Sequence, residues 1–470
     1  MLTNPAVVAI REELTRRRFL CGGGSFAASA ALASLLAGAE KRQSRAPHFA
    51  PRAKRVISLF MSGGPSHVDL FDDKPILRKL DGKPMPKEII GNHEFAMIKS
   101  GEPKMKGSPF KLLPRGKSGT VISELLPRLS KVADEISVVR SLHTDTFNHD
   151  PAVTMMNTGF VTFGKPSMGA WLSWGLGSEN SDLPAYTVLV SGVKLQPLLT
   201  NYWGSGFLPS RHQGVQFRSK GDPVLFLSNP PGVDSGVRRR QLDLLGWMNS
   251  RHYDRVGDPE IRTRIEAFEL GYRMQSSVPG LMDISKEPQS VHELYGTKPG
   301  QVSFSNNCLL ARRLVEQGVR CVQLYHTGWD QHGTIEKDHR RQCAAVDQGA
   351  AALLVDLKSR GLLDETLVVW GGEFGRTPMA QGGGRNYGRD HHPHGFSVWM
   401  AGGGIKPGFT FGETDEYGYF AAEDKVHVHD LHATILHCLG LDHRRLVHRF
   451  QGRDFRLTDV EGRVVRELLA

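Results

Sequence analysis

The sequence predicts an α/β fold: a doubly wound, mainly parallel sheet with helices on both faces. Two observations predict it. Short apolar runs alternate with helix-length amphipathic segments, most regularly in the second half of the chain. Polar clusters rich in Gly, His, Asp and Glu follow several of those runs, and a parallel sheet places its ligands beyond the carboxyl ends of its strands.

Val56 to Met61 reads as a buried strand feeding the turn Ser62-Gly63-Gly64-Pro65. Residues 72–118, rich in Lys, Pro and Gly, form a long surface excursion. Glu124 to Ala133 has helical spacing, and Ile136 to Val139 reads as a strand. Residues 151–176 hold a helix, a glycine-rich break and a second helix through Trp171 and Trp174. Pro184 to Val190 is a strand. Residues 192–235 are rich in Gly, Pro and Ser, 237–282 have helical period, and 192–300 together read as an insertion or lid. Then follow a helix over Ser305 to Gln317, a strand over Val319 to Tyr325, and a long helix from Asp338 to Arg360 closed by Gly361. Strands at Thr366 to Trp370 and Phe396 to Ala401 precede a last helix from His429 to Leu439, stopped by Gly440.

The amino terminus carries an address. Thr15-Arg16-Arg17-Arg18-Phe19-Leu20 matches the twin-arginine export motif. An apolar run from Phe26 to Leu36 follows, then Ala37-Gly38-Ala39, a small-x-small cleavage site. Residues 1–39 therefore read as a signal peptide, 40–54 as a basic tether, and 55–470 as a single domain. The expected location is periplasmic or extracellular, reached in the folded state through the twin-arginine export machinery. The apolar run is shorter than the roughly 20 residues of a spanning helix, so no stable membrane span is expected after cleavage.

The formal net charge is +10, but it is spread along the chain and belongs to no recognisable nucleic-acid module, so nucleic acid is excluded as a partner. No Cys-x-x-Cys pair occurs, which disfavours a zinc ribbon or a thioredoxin-like site. No Gly-x-Ser-x-Gly elbow and no complete P-loop occur either.

The unusual count is histidine, at 20, with most in the second half. His326-Thr-Gly-Trp-Asp330-Gln-His332 places a carboxylate and imidazoles at a strand end, a donor set suited to zinc, manganese or iron. Gly371-Gly372-Glu373-Phe374-Gly375-Arg376 offers Glu373 as a metal ligand and Arg376 as a fork for an anionic oxygen. Asp390-His391-His392-Pro393-His394 is the densest cluster. Adjacent side chains of an extended segment point to opposite faces, so only some of its imidazoles can share one ion. His67 and Asp69, after the first strand, are further candidates to complete a metal site.

With these motifs the chain resembles a family of exported bacterial proteins, domain-of-unknown-function family 1501. The resemblance is carried by Ser62-Gly-Gly-Pro-Ser-His-Val-Asp69, His326-Thr-Gly-Trp-Asp330-Gln-His332, Gly372-Glu-Phe-Gly-Arg-Thr-Pro378, Gly388-Arg-Asp-His391 and Ala401-Gly-Gly-Gly404. The family looks like a branch of the alkaline phosphatase/sulfatase superfamily, which implies a doubly wound α/β sandwich around one or two divalent metal ions (zinc, manganese, iron or calcium). Pro151 to Gly159 is similar to the sulfatase run that begins two residues after the formylglycine precursor. Here His149 stands at that precursor position and Val153 replaces the run's arginine, so a formylglycine mechanism is not implied. Thr144, Thr146 and His149 are the nucleophile candidates beside a metal-activated water. The resemblance implies a metal-dependent hydrolase of phosphate or sulfate esters, on a small-molecule or polysaccharide substrate. Asp330, His332, Glu373, Asp390, His391, Asp69 and His67 are its metal candidates, and Arg376 its anion holder. The alternative is a non-catalytic polysaccharide- or ligand-binding protein on a degenerate scaffold of the same kind.

Overall fold

The computed structural model describes residues 46–91, 95–98, 103–193, 198–384 and 386–470. The export motif, the apolar run and residues 40–45 lie outside the described residues. Everything from Pro47 to Ala470 belongs to one body.

Its centre is a nine-stranded sheet. The strands are β1 (Arg55–Ser62), β2 (Ile136–His143), β3 (Tyr186–Gly192), β4 (Val215–Phe217), β5 (Cys321–Thr327), β6 (Thr366–Gly371), β7 (Phe396–Ala401), β8 (Phe409–Phe411) and β9 (Val426–His427). They lie in the order β8-β2-β7-β6-β1-β5-β3-β4, with β9 also paired to β2. Every pairing is parallel except the two that β7 makes, with β2 and with β6. The fold class is thus α/β with a mainly parallel sheet, and a single strand runs against the rest.

The principal helices are α1 (His149–Thr158), α2 (Met168–Leu176), α3 (Ser235–Val256), α4 (Pro259–Met282), α5 (Phe304–Glu316), α6 (Ile335–Ser359) and α7 (Val428–Cys438). The two-residue alternation of β1 divides the core between two faces. Ile57, Leu59 and Met61 pack with Leu309, Leu310, Leu353 and Leu357 of α5 and α6. Val56 and Phe60 pack with Trp171, Leu172, Leu431 and Ile435 of α2 and α7. Helix α6 shows how the sequence dictates an element. Its first turn carries Glu336 and Asp338, which suit the positive end of the helix dipole, and Ile335, Cys343, Val346, Ala350, Leu353 and Leu357 form its buried stripe. Cutting Leu353 to Ala in that stripe would cost about 2–5 kcal/mol.

Four expectations change. Glu124 to Ala133 is no α-helix; a 3-10 stretch occupies Leu129–Glu135 instead. Pro127 lacks an amide donor and biases its predecessor away from helical backbone. The strand at Ile136 extends to His143 rather than Val139. The Gly/Pro/Ser-rich segment read as an insertion contributes β4, a sheet-edge strand too short to show a period. Residues 47–54 are bound to the body and do not hang as a tether: the His48 amide donates to Gly440 O at 2.8 Å and Arg52 to Cys438 O at 2.9 Å, and Ala53 is buried.

Candidate functional site

Four segments meet at one end of the sheet: the turn after β1, the loop after β5, the loop after β6, and α1 after β2. These strands run parallel, so the meeting point is the shared carboxyl edge where such sheets bind ligands. A two-stranded ribbon, Gly375–Arg376 against His391–His392, closes it from the side.

At the centre is Asp330. Its Oδ1 lies 2.8 Å from His332 Nε2, 3.1 Å from His391 Nε2, 3.2 Å from His149 Nε2 and 2.8 Å from Arg376 Nη2. One ligand atom from each of His149, Asp330, His332 and His391 lies within 4.8 Å of the others. His332 Nε2 and His391 Nε2 face each other at 2.9 Å. Two of the imidazoles lie tilted against Phe374, whose ring centroid is 5.0 Å from that of His149 and 4.7 Å from that of His391.

A second layer fixes the rings. Glu373 Oε1 accepts from His149 Nδ1 at 2.7 Å, and the Gln381 side-chain oxygen accepts from His332 Nδ1 at 2.5 Å. With Nδ1 donating outward, each Nε2 turns its lone pair inward. Glu373 is itself held, because the Gly63 amide donates to both its oxygens, at 2.9 and 3.1 Å. Gly63 has φ +122°, and a Cβ there would lie 2.3 Å from the Asp330 nitrogen, so only glycine lets the β1 turn approach this closely.

This arrangement fits a metal ion. Three Nε2 atoms converge on one carboxylate oxygen; a neutral His149 or His332, whose Nδ1 already donates, has no proton left for Nε2, and only His391 can meet the carboxylate as a neutral donor. His149 Nε2 is buried and outside hydrogen-bond geometry despite its 3.2 Å approach to Asp330. The charges adapt accordingly. Burial opposes a charge on His149, but the carboxylates of Asp330 and Glu373 prevail and raise its pKa to about 9. Burial lowers the pKa of His391 to about 4. Asp330 is partly buried, which opposes its charge, yet the imidazoles and Arg376 hold its carboxyl far below the usual range.

Beside His149 opens a cavity of about 330 Å3 lined by Ser62, Asn148, His149, Asp150, Pro151, Val153 and Tyr202. Tyr202 donates its hydroxyl to Asp150 Oδ1 at 2.9 Å.

The other expected site residues fall elsewhere. Glu373 stands one step back from the ligand atoms, as the acceptor for His149. Arg376 is buried, and its nitrogens are engaged by Gly64 O at 2.9 Å, Arg389 O at 3.0 Å, Gly63 O and Asp330, so its fork is not open to an anion. Asp390 accepts from the amides of Met97, Ile98 and His391 at 2.7, 2.9 and 2.8 Å. Asp69 is paired with Arg389 at 2.7 and 3.2 Å. His67 Nε2 donates to Gly418 O at 2.8 Å. Thr146 Oγ1 accepts from the Asn148 amide at 3.4 Å. Within the ribbon, His391 turns to Asp330 while the His392 ring lies against the Tyr419 carbonyl, as alternating faces require. Gln381 and Tyr202 escape sequence reasoning. Gln381 borders a run of glycines and Tyr202 lies in an aperiodic segment, so no pattern singles either out.

The model of a family described as a protein of unknown function (DUF1501) matches residues 53–469. Among curated proteins none matches the chain. Solved structures with a similar course include Ps i-CgsB in complex with k-i-k-neocarrahexaose (11% identical, 83% of this chain and 72% of that one, TM-score 0.37). A protein in the alkaline phosphatase superfamily from Vibrio parahaemolyticus is 11% identical over 84% of this chain and 68% of that one, with a TM-score of 0.34. The PsFucS1 sulfatase from Pseudoalteromonas sp. is 13% identical over 87% and 70%, also at 0.34. At such scores these likenesses assign no chemistry to this chain.

Proposed function

We propose, from the premise that this chain belongs to the DUF1501 family, that it is an exported metal-dependent hydrolase of phosphate or sulfate esters. The observation that carries the reading is the convergence of His149, Asp330, His332 and His391 at the carboxyl edge of the sheet, beside a cavity. Three imidazoles and one carboxylate suit zinc, manganese or iron; calcium, which takes six to eight oxygens, does not suit them. A divalent ion held there would supply Lewis acidity to an ester oxygen and lower the pKa of water.

The chain's own groups do the rest. Glu373 and Gln381 orient the imidazoles. The hydroxyl of Ser62 and the polar groups of Asn148, Asp150 and Tyr202 line the space for the ester's organic part. His149 spends Nδ1 on Glu373 and would give Nε2 to the ion, and Thr146 turns back to the Asn148 amide, so attack falls to water entering from the cavity. Export folded through the twin-arginine machinery agrees with a site that must load its metal before crossing the membrane.

One observation favours a second reading, a polysaccharide- or ligand-binding protein without turnover. Arg376 is already saturated by carbonyls and Asp330, which leaves no open guanidinium at the cluster for the ester's anionic oxygens. Turnover of nitrophenyl phosphate and nitrophenyl sulfate by protein loaded in turn with zinc, manganese and iron separates the two. Hydrolysis that disappears in Asp330→Ala supports the hydrolase. Bound metal with no turnover of either ester supports the binding protein.

A further inference from the structure

Helix α3 is oddly placed for its length. It is well made at both ends: the Asp234 side chain accepts from the Val237 amide, and Gly257 closes it in the left-handed conformation. Yet of its 22 residues only Leu242 is buried. Its principal packing partner is α4, the other arm of the hairpin, which is tied to it by Arg239 bridging to Glu269 at 2.6 Å. Most helical stability in proteins comes from burying an apolar face, and this helix leaves one uncovered.

The uncovered face has a definite composition. Leu244 and Trp247 are each 58% exposed, Met248 53% and Leu245 40%. Positions 244, 247 and 248 share one side of a helix, opposite Leu242. Arg240, Arg251 and Arg255 fall on the same stripe and are exposed, and the Arg251 guanidinium lies over the Trp247 ring, 5.2 Å from its centroid. The stripe is therefore apolar at its middle and net cationic, its three arginines outnumbering Asp254 at its edge.

We infer that α3 docks this stripe on an anionic lipid surface. Two features favour that occupant. A two-fold contact between copies would set the same arginines against each other, because an isologous interface pairs a face with itself. The stripe is also the convex outer side of a single helix, a shape that a bilayer interface accepts without a complementary groove. Leucine, methionine and tryptophan would enter the headgroup boundary while the arginines meet lipid phosphate. The chain's formal net charge of +10 acts in the same direction.

The test is co-sedimentation of the full mature protein with vesicles of phosphatidylcholine alone and of phosphatidylcholine with phosphatidylglycerol. Binding to the anionic vesicles alone, weakened by salt, is expected. L244S/W247S/M248S should lower the partition about tenfold or more. R240Q/R251Q/R255Q, which keeps the apolar side chains, should lower it about fivefold per arginine. Circular dichroism and melting check that both variants fold, and the arginine variant decides if the apolar one does not. Failure to sediment with anionic vesicles would overturn the inference. So would undiminished binding by both variants, or a dimer in sedimentation velocity that the apolar substitutions dissolve without any vesicle binding. Ester hydrolysis is not read in this experiment, so the inference stands or falls apart from the proposed activity.

Discussion

Asp330 and Asp69 begin alike and end differently. Each follows a strand of the same parallel sheet, each sits in a polar segment with histidine nearby, and each invites reading as a metal ligand. Asp69 is fully buried with both oxygens on the Arg389 guanidinium and one also on the Ser66 hydroxyl at 2.6 Å. Asp330 keeps 22% of its side chain exposed and gathers three imidazole nitrogens around one oxygen. The difference teaches what separates a strut from a ligand. A carboxylate satisfied by a fixed cation and a hydroxyl has no coordination capacity left. One whose oxygen gathers three convergent imidazole nitrogens beside a single guanidinium, and stays partly open, presents the donor set of a metal centre.

Removing ligands should break this contrast most severely. Asp330→Ala, or His332→Ala with His391→Ala, should abolish tight metal retention, read as metal per chain; the histidine pair leaves buried Arg376 its counter-charge, so the melting curve of its metal-free form should change little, whereas Asp330→Ala should lower it. Asp69→Asn should do the reverse. It leaves Arg389 buried without its counter-charge, at a cost of about 3–5 kcal/mol in chemical denaturation, and the folded fraction should keep its metal. The same ion pair predicts an acid limb. Burial opposes the Asp69 charge, but Arg389 and Ser66 hold its pKa down to about 2, against about 3.9 in an unfolded chain. The unfolded state therefore takes up the proton first as pH falls. About 3 kcal/mol, present in full above about pH 5, should be lost as pH falls through 2, and Asp69→Asn should erase that part of the pH dependence.

Smaller changes sharpen the comparison. Glu373→Gln replaces an acceptor that fixes His149 and should weaken metal binding by about 10–100-fold, measured by competition with a chelator. Gln381→Ala removes only the neutral partner of His332 and should cost less, about tenfold or below. Equal effects from the two would mean that the charge on Glu373 contributes nothing through His149.

The elements that could be read from the chain are those whose burial imposes a period. The stripe of α6 and the apolar run of β5 show themselves locally, to within a few residues of their ends. The direction of β7 does not, since an antiparallel strand buried on both faces has the same pattern as its parallel neighbours. The candidate site was legible as polar clusters after strands, but not in its division of labour. Asp69 meets Arg389 320 positions away, and Glu373 meets His149 224 positions away. Spacing along the chain carries no trace of such pairings. His149, considered as a nucleophile, stands instead among the ligand atoms because α1 begins at the end of β2, facing the loop that carries Asp330.

The central claim, that the Asp330 cluster is a metal centre, is tested most directly by metal content per chain, determined by mass spectrometry on protein folded and exported by its own amino-terminal segment. The account predicts one divalent transition ion per chain, retained through gel filtration and absent from Asp330→Ala. A wild-type protein that holds no ion after incubation with zinc, manganese and iron, or an Asp330→Ala protein that holds as much as wild type, would contradict it.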